Sequence, residues 1–452
     1  MDERQETKQP ERIGWPNSLA EELARPFVRF LAIESASGFL LLAATIVALA
    51  LMNSQYAQDF EYFLHLPVGL TIGNWSVRET LVHVINDGLM TLFFFVVGLE
   101  IKRELVMGEL RDPRKAALPI AAALGGMVVP ALIYLSLQYG QPGESGWGIP
   151  MATDIAFVVG FLNLLGRRVP HSLKIMMLSL AIVDDIGAVL VIAFFYSKGV
   201  HWDYLGAAGI GFAMVLLLNR IGVRRVPVYV LVGAGIWYLF FKSGVHPTVA
   251  GVLLGLLTPA SAWIGDKALL EVLDDFAHWL RHGATREDHA DMTRIGRVLF
   301  GVRECVSPLE RLETVLQPWV AFGIMPVFAL ANAGVALHIQ RVMDPVALAV
   351  VLGLVLGKPV GIVLFSWLAV KLGIARLPQR LTWPLVIGGG CLGGIGFTMS
   401  LFIANLGLDK DLLDAGKTGI LTGSCLSALI GCIWLLSVGN GHRINAGAAD
   451  AR

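Results

Sequence analysis

Lys174-Ile-Met-Met-Leu-Ser-Leu-Ala-Ile-Val-Asp-Asp-Ile-Gly-Ala-Val-Leu-Val-Ile-Ala-Phe-Phe-Tyr-Ser-Lys198 holds two charges between its terminal lysines, Asp184 and Asp185. The run exceeds the roughly 20 apolar residues that a membrane-crossing helix needs. From Lys174 to Asp184 is about 15 Å of helix, half of a hydrocarbon core about 30 Å thick. A charge at that depth costs at least about 2.5–3.5 kcal/mol. Buried ion pairs are weak stabilisers, and two neighbouring carboxylates make a poor clamp. Acidic groups so placed therefore read as an ion or proton pathway rather than as a structural fastening.

The pattern recurs elsewhere. Asp154 is the only charge between Glu144 and Arg167, and Lys358 the only charge between Asp344 and Lys371. All four groups fall near the same depth, and three negatives with one positive leave an acidic surplus suited to a cation. The composition agrees: of 452 residues, 55% are hydrophobic and 15% charged, against about 25% charged in a soluble domain. Zero net charge argues against nucleic acid as a partner. Cys425 and Cys432 lie about 10 Å apart along one predicted helix, too far for a disulfide. No zinc-type spacing appears among the four cysteines.

Apolar runs predict an all-α integral membrane protein with about twelve transmembrane helices: 31–52, 80–101, 116–137, 147–166, 172–196, 203–219, 226–241, 246–264, 314–336, 345–370, 381–406 and 418–438. With the N-terminus inside, 28 of the 35 lysines and arginines fall in cytoplasmic tails and loops, six fall outside, and Lys358 lies within a span. That asymmetry places both termini in the cytoplasm. Residues 1–30 read as a cytoplasmic tail, 31–438 as the transporter domain and 439–452 as a second tail. Leu31 onward is read as a retained helix, because no cleavage-site pattern precedes it.

Two connections are long. The outer one, 53–79, contains Gly73-Asn74 between short alternating runs, which suggests a β-hairpin as against a plain loop. The inner one, 265–313, reads as a solvated linker with an amphipathic helix near Lys267–Leu280.

Residues 388–396, Gly-Gly-Gly-Cys-Leu-Gly-Gly-Ile-Gly, sit midway along a span. Such a run is a poor helix former, so two half-helices joined by extended chain are expected, with close packing as the alternative. Pro150, before Thr153-Asp154, suggests a matching break in 147–166. Half-helix ends carry partial charges; Asp154 is positioned to compensate the N-terminal ends and Lys358 the C-terminal ends. Interrupted spans in corresponding places point to inverted repeats, here 116–196 and 345–438.

The strings Val97-Gly-Leu-Glu-Ile-Lys-Arg-Glu-Leu105, Ala152-Thr-Asp-Ile-Ala-Phe157, Ala181-Ile-Val-Asp-Asp-Ile-Gly187, Lys242-Ser-Gly-Val-His246, Gly357-Lys-Pro-Val-Gly361 and Gly394-Ile-Gly-Phe-Thr-Met-Ser400 resemble, in order, the NhaA family of Na+/H+ antiporters. The resemblance implies twelve helices with inverted repeats and crossed, interrupted helices 4 and 11, in the bacterial inner membrane. It implies electrogenic exchange of Na+ or Li+ for more than one H+, without a cofactor. Asp185 would be the main cation and proton carboxylate. Asp184 would be the second acid, paired with Lys358 in one state, and Thr153 and Asp154 would lie beside the site. Glu100, Lys102, Arg103 and Glu104, with Arg311 and Glu313, would form a cytoplasmic cluster tied to pH response, in which His246 would share. The outer hairpin would join a homodimer. Thr314 and Gln317 stand where well-known members carry histidines, and the inner loop is longer, which bears on the pH set-point.

The residues support a mechanism in which one site holds either protons or a hard cation. A carboxylate in a partly dehydrated site keeps its proton to higher pH than in water. Adjacent helical residues point about 100° apart, so Asp185 is expected to face the cavity and Asp184 to face Lys358. A sodium-coupled organic-anion symporter is the neighbouring alternative, yet Lys358 is the only midplane cation to anchor such a substrate. A passive channel fits poorly with a charge-occluded centre. Hydrolase, metalloprotease, redox and phosphate-loop motifs are missing from any supporting context, which sets enzyme classes aside.

Overall fold

In hydrocarbon a peptide group has no water to bond, so apolar segments satisfy their N–H and C=O groups internally as helices. The computed structural model describes residues 36–72, 75–197, 199–223, 225–282, 290–336, 339–378 and 381–449. The tail expected over residues 1–30 and the Gly73-Asn74 turn lie outside them. In chain order the elements are α1 (Ala36–Met52), α2 (Ala57–Leu64), β1 (Pro67–Ile72), β2 (Trp75–Thr80), α3 (Leu81–Val106) and α4 (Pro113–Gln138). A 3-10 helix (Glu144–Met151) leads to α5 (Ile155–Leu164), followed by α6 (His171–Phe195), α7 (Trp202–Ile221), α8 (Val226–Ser243) and α9 (Thr248–Leu257). Then come α10 (Asp266–His282), α11 (Ala290–Cys305), α12 (Pro308–Asn332), α13 (Pro345–Lys371), α14 (Trp383–Gly393), α15 (Phe397–Gly407) and α16 (Lys410–Ala449).

The chain is an all-α, multi-pass integral membrane protein. Among the described residues nine segments are long and apolar enough to cross a membrane. Two further pairs do so jointly across a bend: α1 with α2 at 118°, and α14 with α15 at 47°. The expected span 246–264 is a shorter helix, α9. Pro259 disfavours helical backbone at Thr258, and ten residues reach only about 15 Å. The inner connection holds two helices, α10 and α11, packed on each other rather than one helix in a linker. The last helix continues past residue 438 to Ala449, into the stretch expected as a tail.

The outer connection is a hairpin: β1 and β2 pair antiparallel, with Ile72 opposite Trp75 and Pro67 opposite Thr80.

Helix packing sorts the spans into two groups. In the first, α4, the 3-10 segment, α6 and α13 to α16 contact one another extensively. A Cβ on Gly125 would lie 2.1 Å from the Gly361 carbonyl oxygen, so only glycine lets α4 and α13 approach so closely. In the second, α3 lies against α9, α7 against α8 and α1 against α12. There Gly98 and Gly255 are the close-contact pair. Apart from α5, which touches both α6 and α1, the segments 116–196 and 345–438 thus share one group, to which Asp154, Asp184, Asp185 and Lys358 belong.

Among the described residues three helices contain a π turn, and the one that matters for the site is Gly353–Gly357 in α13. Pro359 has no N–H for the usual ladder, and the wider turn absorbs that loss while setting the direction of Lys358.

Candidate functional site

Two interrupted helices cross at the centre of the first group. Chain 152–154 is extended between the 3-10 helix and α5. The other break is shorter than the glycine run implied: α14 continues helically through Gly388–Gly393, and only residues 394–396 interrupt it. Gly394 and Gly396 keep right-handed φ/ψ values rather than extended ones. Glycines 388–390 serve the close packing instead. A Cβ on Gly388 would meet Leu435 at 2.5 Å, one on Gly389 the Met177 sulfur at 2.9 Å, and one on Gly390 the Pro359 Cα at 3.3 Å.

A backbone bond ties the two breaks, Asp154 N–H donating to Ile395 O at 2.7 Å. The Asp154 carboxylate caps both following half-helices. Oδ1 accepts from Phe157 N–H of α5 at 3.4 Å, and Oδ2 accepts from Thr398 N–H of α15 at 3.0 Å and from the Thr398 hydroxyl. One negative group thereby answers two converging positive helix ends.

The opposite ends are answered separately. Lys358 Nζ, fully buried, donates to Met151 O, the last carbonyl of the 3-10 helix, and to Asp184 Oδ2 at 2.7 Å. Thr153 Oγ1 lies 2.6 Å from Asp184 Oδ2 and 3.1 Å from Gly393 O, the last carbonyl of α14. Its single proton serves one acceptor at a time. Lys358 was expected to compensate both C-terminal ends, and Thr153 takes the second.

Asp184 and Asp185 are both buried. Asp184 Oδ1 has no hydrogen-bond partner, and no described hydrogen bond engages the Asp185 carboxylate. Asp185 lies within coulombic reach of Glu100, Asp184, Asp154 and Lys358. A protein-only coordination cluster of His, Cys, Asp and Glu is not found among the described residues. The arrangement offers oxygen donors of the hard type, carboxylate, hydroxyl and backbone carbonyl, converging where the helices break.

The Glu100, Lys102, Arg103, Glu104, Arg311 and Glu313 set lies on α3 and α12. Arg103 pairs with the buried Glu313, and Glu104 Oε2 accepts from Glu109 N–H at 3.1 Å. Glu100 interacts electrostatically with Glu313, Arg103 and Glu104 of this set and also with Asp185. Lys102 and Arg311 are half-buried on the same two helices, outside the described ion pairs.

His246 is elsewhere, in the turn before α9. Its Nδ1 accepts from the Thr248 N–H at 3.4 Å and faces the Thr248 hydroxyl at 2.7 Å, which directs the Nε2 proton towards Asp87 Oδ1 at 3.5 Å. His83 Nε2 reaches the other Asp87 oxygen at 3.2 Å. Beside them Asn86 and Asn332 exchange amide hydrogen bonds at 2.8 and 3.1 Å, and Asn405 of α15 donates to Asn332 at 3.0 Å. Sequence reading missed Asp87, Asn332 and Thr398. Asp87 carried a signal, a charge inside the span 80–101, whereas the asparagines are marked only by their partners in space.

The family model described as Na+/H+ antiporter 1 matches residues 28–435. A protein named Na(+)/H(+) antiporter NhaA from Rhodopirellula baltica is 52% identical over 427 residues, covering 94% of this chain and 97% of the relative. One of the same name from Rhizobium meliloti is 50% identical over 416 residues, covering 92% and 95%. Na(+)/H(+) antiporter NhaA 2 from Vibrio vulnificus is 48% identical over 424 residues, covering 93% and 94%. On a match across nearly its whole length, this chain belongs to the NhaA family of Na+/H+ antiporters.

Proposed function

We propose that this chain exchanges Na+ for H+ across the membrane, with Asp184 and Asp185 binding proton and cation in turn. The observation that carries the assignment is a pair of buried carboxylates at the helix crossing, one with a partnerless oxygen and the other outside every described hydrogen bond. Elsewhere at the crossing the third acid and the lysine are engaged: Asp154 in capping, Lys358 by Met151 O and Asp184. Oxygens left over at that depth are costly unless a proton or cation fills them.

In the proton-loaded state Asp185 is neutral, and Lys358 holds Asp184. Na+ entering from the cytoplasm meets Asp185, displaces its proton and draws Asp184 away from Lys358, with the Thr153 hydroxyl and broken-helix carbonyls as further ligands. The Asp184–Lys358 pair supplies a second proton. Two H+ entering against one Na+ leaving carries one net positive charge inward, so the membrane potential drives sodium out. Rocking of the group that holds the crossing against the other group switches access. Li+, a smaller hard cation, is accepted at the same oxygens. No cofactor enters the cycle, and no chemical reaction is catalysed.

Competition sets the pH dependence. Acid fills the carboxylates with protons and shuts the exchange; alkali frees them for Na+. The Glu100, Lys102, Arg103, Glu104, Arg311 and Glu313 set and His246 tune this response. The protein works in the bacterial inner membrane with both termini in the cytoplasm, as a homodimer joined through the outer hairpin.

Na+-induced proton release in everted membrane vesicles tests the site. Wild-type protein should release protons on Na+ addition, and Asp185→Asn should release none above the vector control. Full exchange by that variant would refute the assignment.

A further inference from the structure

The outer face of the crossing group carries a groove of about 460 Å³ between α13 and α14. Val360, Val363, Leu364 and Trp367 line one wall, and Trp383 and Ile387 the other. Its lining is almost wholly apolar, and Val360 and Leu364 are about half-exposed, at 52% and 47%. Pro359, next to Lys358, closes the end at mid-depth. From Lys358 to Lys371 is 13 residues, about 20 Å of helix, so the other end reaches the headgroup layer. There Lys371 Nζ sits 4.6 Å over the Trp367 ring centroid, and Arg376 is exposed in the loop between the helices.

We infer that this groove is a binding site for an anionic phospholipid. One acyl chain lies along Val360, Leu364 and Ile387, and the phosphate is held by Lys371, with Arg376 in reserve. Three features select this occupant over bulk lipid. The groove is concave and opens to hydrocarbon along its length, which suits a chain rather than a soluble ligand. Lys371 is held by stacking on a groove wall, so that its charge stands at the mouth instead of sweeping freely. The loop 371–380 belongs to the positive side of the molecule, and anionic lipids of the cytoplasmic leaflet meet basic pockets between helices there. The site does not depend on the transport reading, because its occupant binds the outer face of α13 and α14 and not the crossing.

Thermal melting of the purified full chain in detergent tests the inference. Phosphatidylglycerol should raise the wild-type Tm by a few degrees, as a ligand of the folded state does, and phosphatidylcholine should raise it less. Val360→Trp fills the groove from a lipid-facing position, and Lys371→Gln removes the charge while keeping Trp367. Each should erase the difference between the two lipids. Native mass spectrometry on the same proteins should show retained phosphatidylglycerol on the wild type and loss in both variants, which reads binding even where a variant melts early. Equal shifts from the two lipids, a shift reproduced by inorganic phosphate alone, or an undiminished preference in Lys371→Gln would overturn the proposal.

Discussion

The two broken helices do the same job with opposite chemistry. The break at 152–154 is extended and polar, and places Thr153 and Asp154 at the crossing. The break at 394–396 has no charge or side-chain hydroxyl of its own, stays near helical geometry and is made of Gly-Ile-Gly. One break supplies the groups and the other supplies the room. A Cβ on Gly394 would lie 2.4 Å from the Leu354 carbonyl oxygen, and one on Gly396 would lie 3.0 Å from that of Ala152. The half-helix ends left by the glycine break are satisfied from the polar one, by Asp154 at the N-terminus of α15 and Thr153 at the C-terminus of α14.

If that division is right, damage should rank by how many ends a residue serves and whether a charge is left alone. Lys358→Ala removes the partner of Asp184 and the donor to Met151 O; loss of one member of a buried pair costs about 3–5 kcal/mol. Lys358→Ala with Asp184→Asn should recover much of that loss in thermal melting, and a second variant no more stable than the first would contradict the pairing.

Asp154→Ala comes next. It uncaps two half-helices, each cap being worth about 0.5–2 kcal/mol, and should destabilise by roughly 1–4 kcal/mol; Asp154→Asn, which still accepts hydrogen bonds, should cost less. Equal effects would mean that the charge, and not the capping geometry, matters.

Gly394→Ala should follow at about 1–3 kcal/mol, the range for overpacking, because the obstacle is backbone that cannot swing aside. Gly390→Ala has only a 3.3 Å contact with Pro359 and should be milder. An inverted order would show that the glycine run and not the 394–396 break is the sensitive element.

The smallest effect is on pH. Proton competition at Asp185 predicts an apparent Na+ affinity that falls as pH falls, by about tenfold per unit, and more steeply where the Asp184–Lys358 pair also exchanges its proton. An apparent KM for Na+ that holds constant from pH 8 to pH 6 would contradict shared occupancy.

Much of this was legible in the residues. Apolar runs marked the spans because backbone in lipid has few alternatives, and isolated charges drew attention to Asp154, Asp184, Asp185 and Lys358 because a charge in hydrocarbon is costly. The expected pairing of Asp184 with Lys358 matches the 2.7 Å contact. What the residues did not yield depends on neighbours. Glycine permits both a break and a close contact, so 388–396 did not reveal that its first six residues stay helical. Pro259 and Thr258 cut α9 short in a run whose hydropathy suggested a full span. The Asn86, Asn332 and Asn405 contacts join three helices far apart in sequence, and no local pattern announces them.

The most direct measurement is coupled flux in proteoliposomes holding the purified chain, with internal pH and Na+ followed together under a clamped membrane potential. An imposed Na+ gradient should drive H+ the opposite way, with more than one H+ per Na+, a dependence on potential, and no coupled movement in Asp184→Asn with Asp185→Asn. Sodium crossing with no opposing proton flux, or coupling that survives loss of both carboxylates, would contradict exchange at the helix crossing.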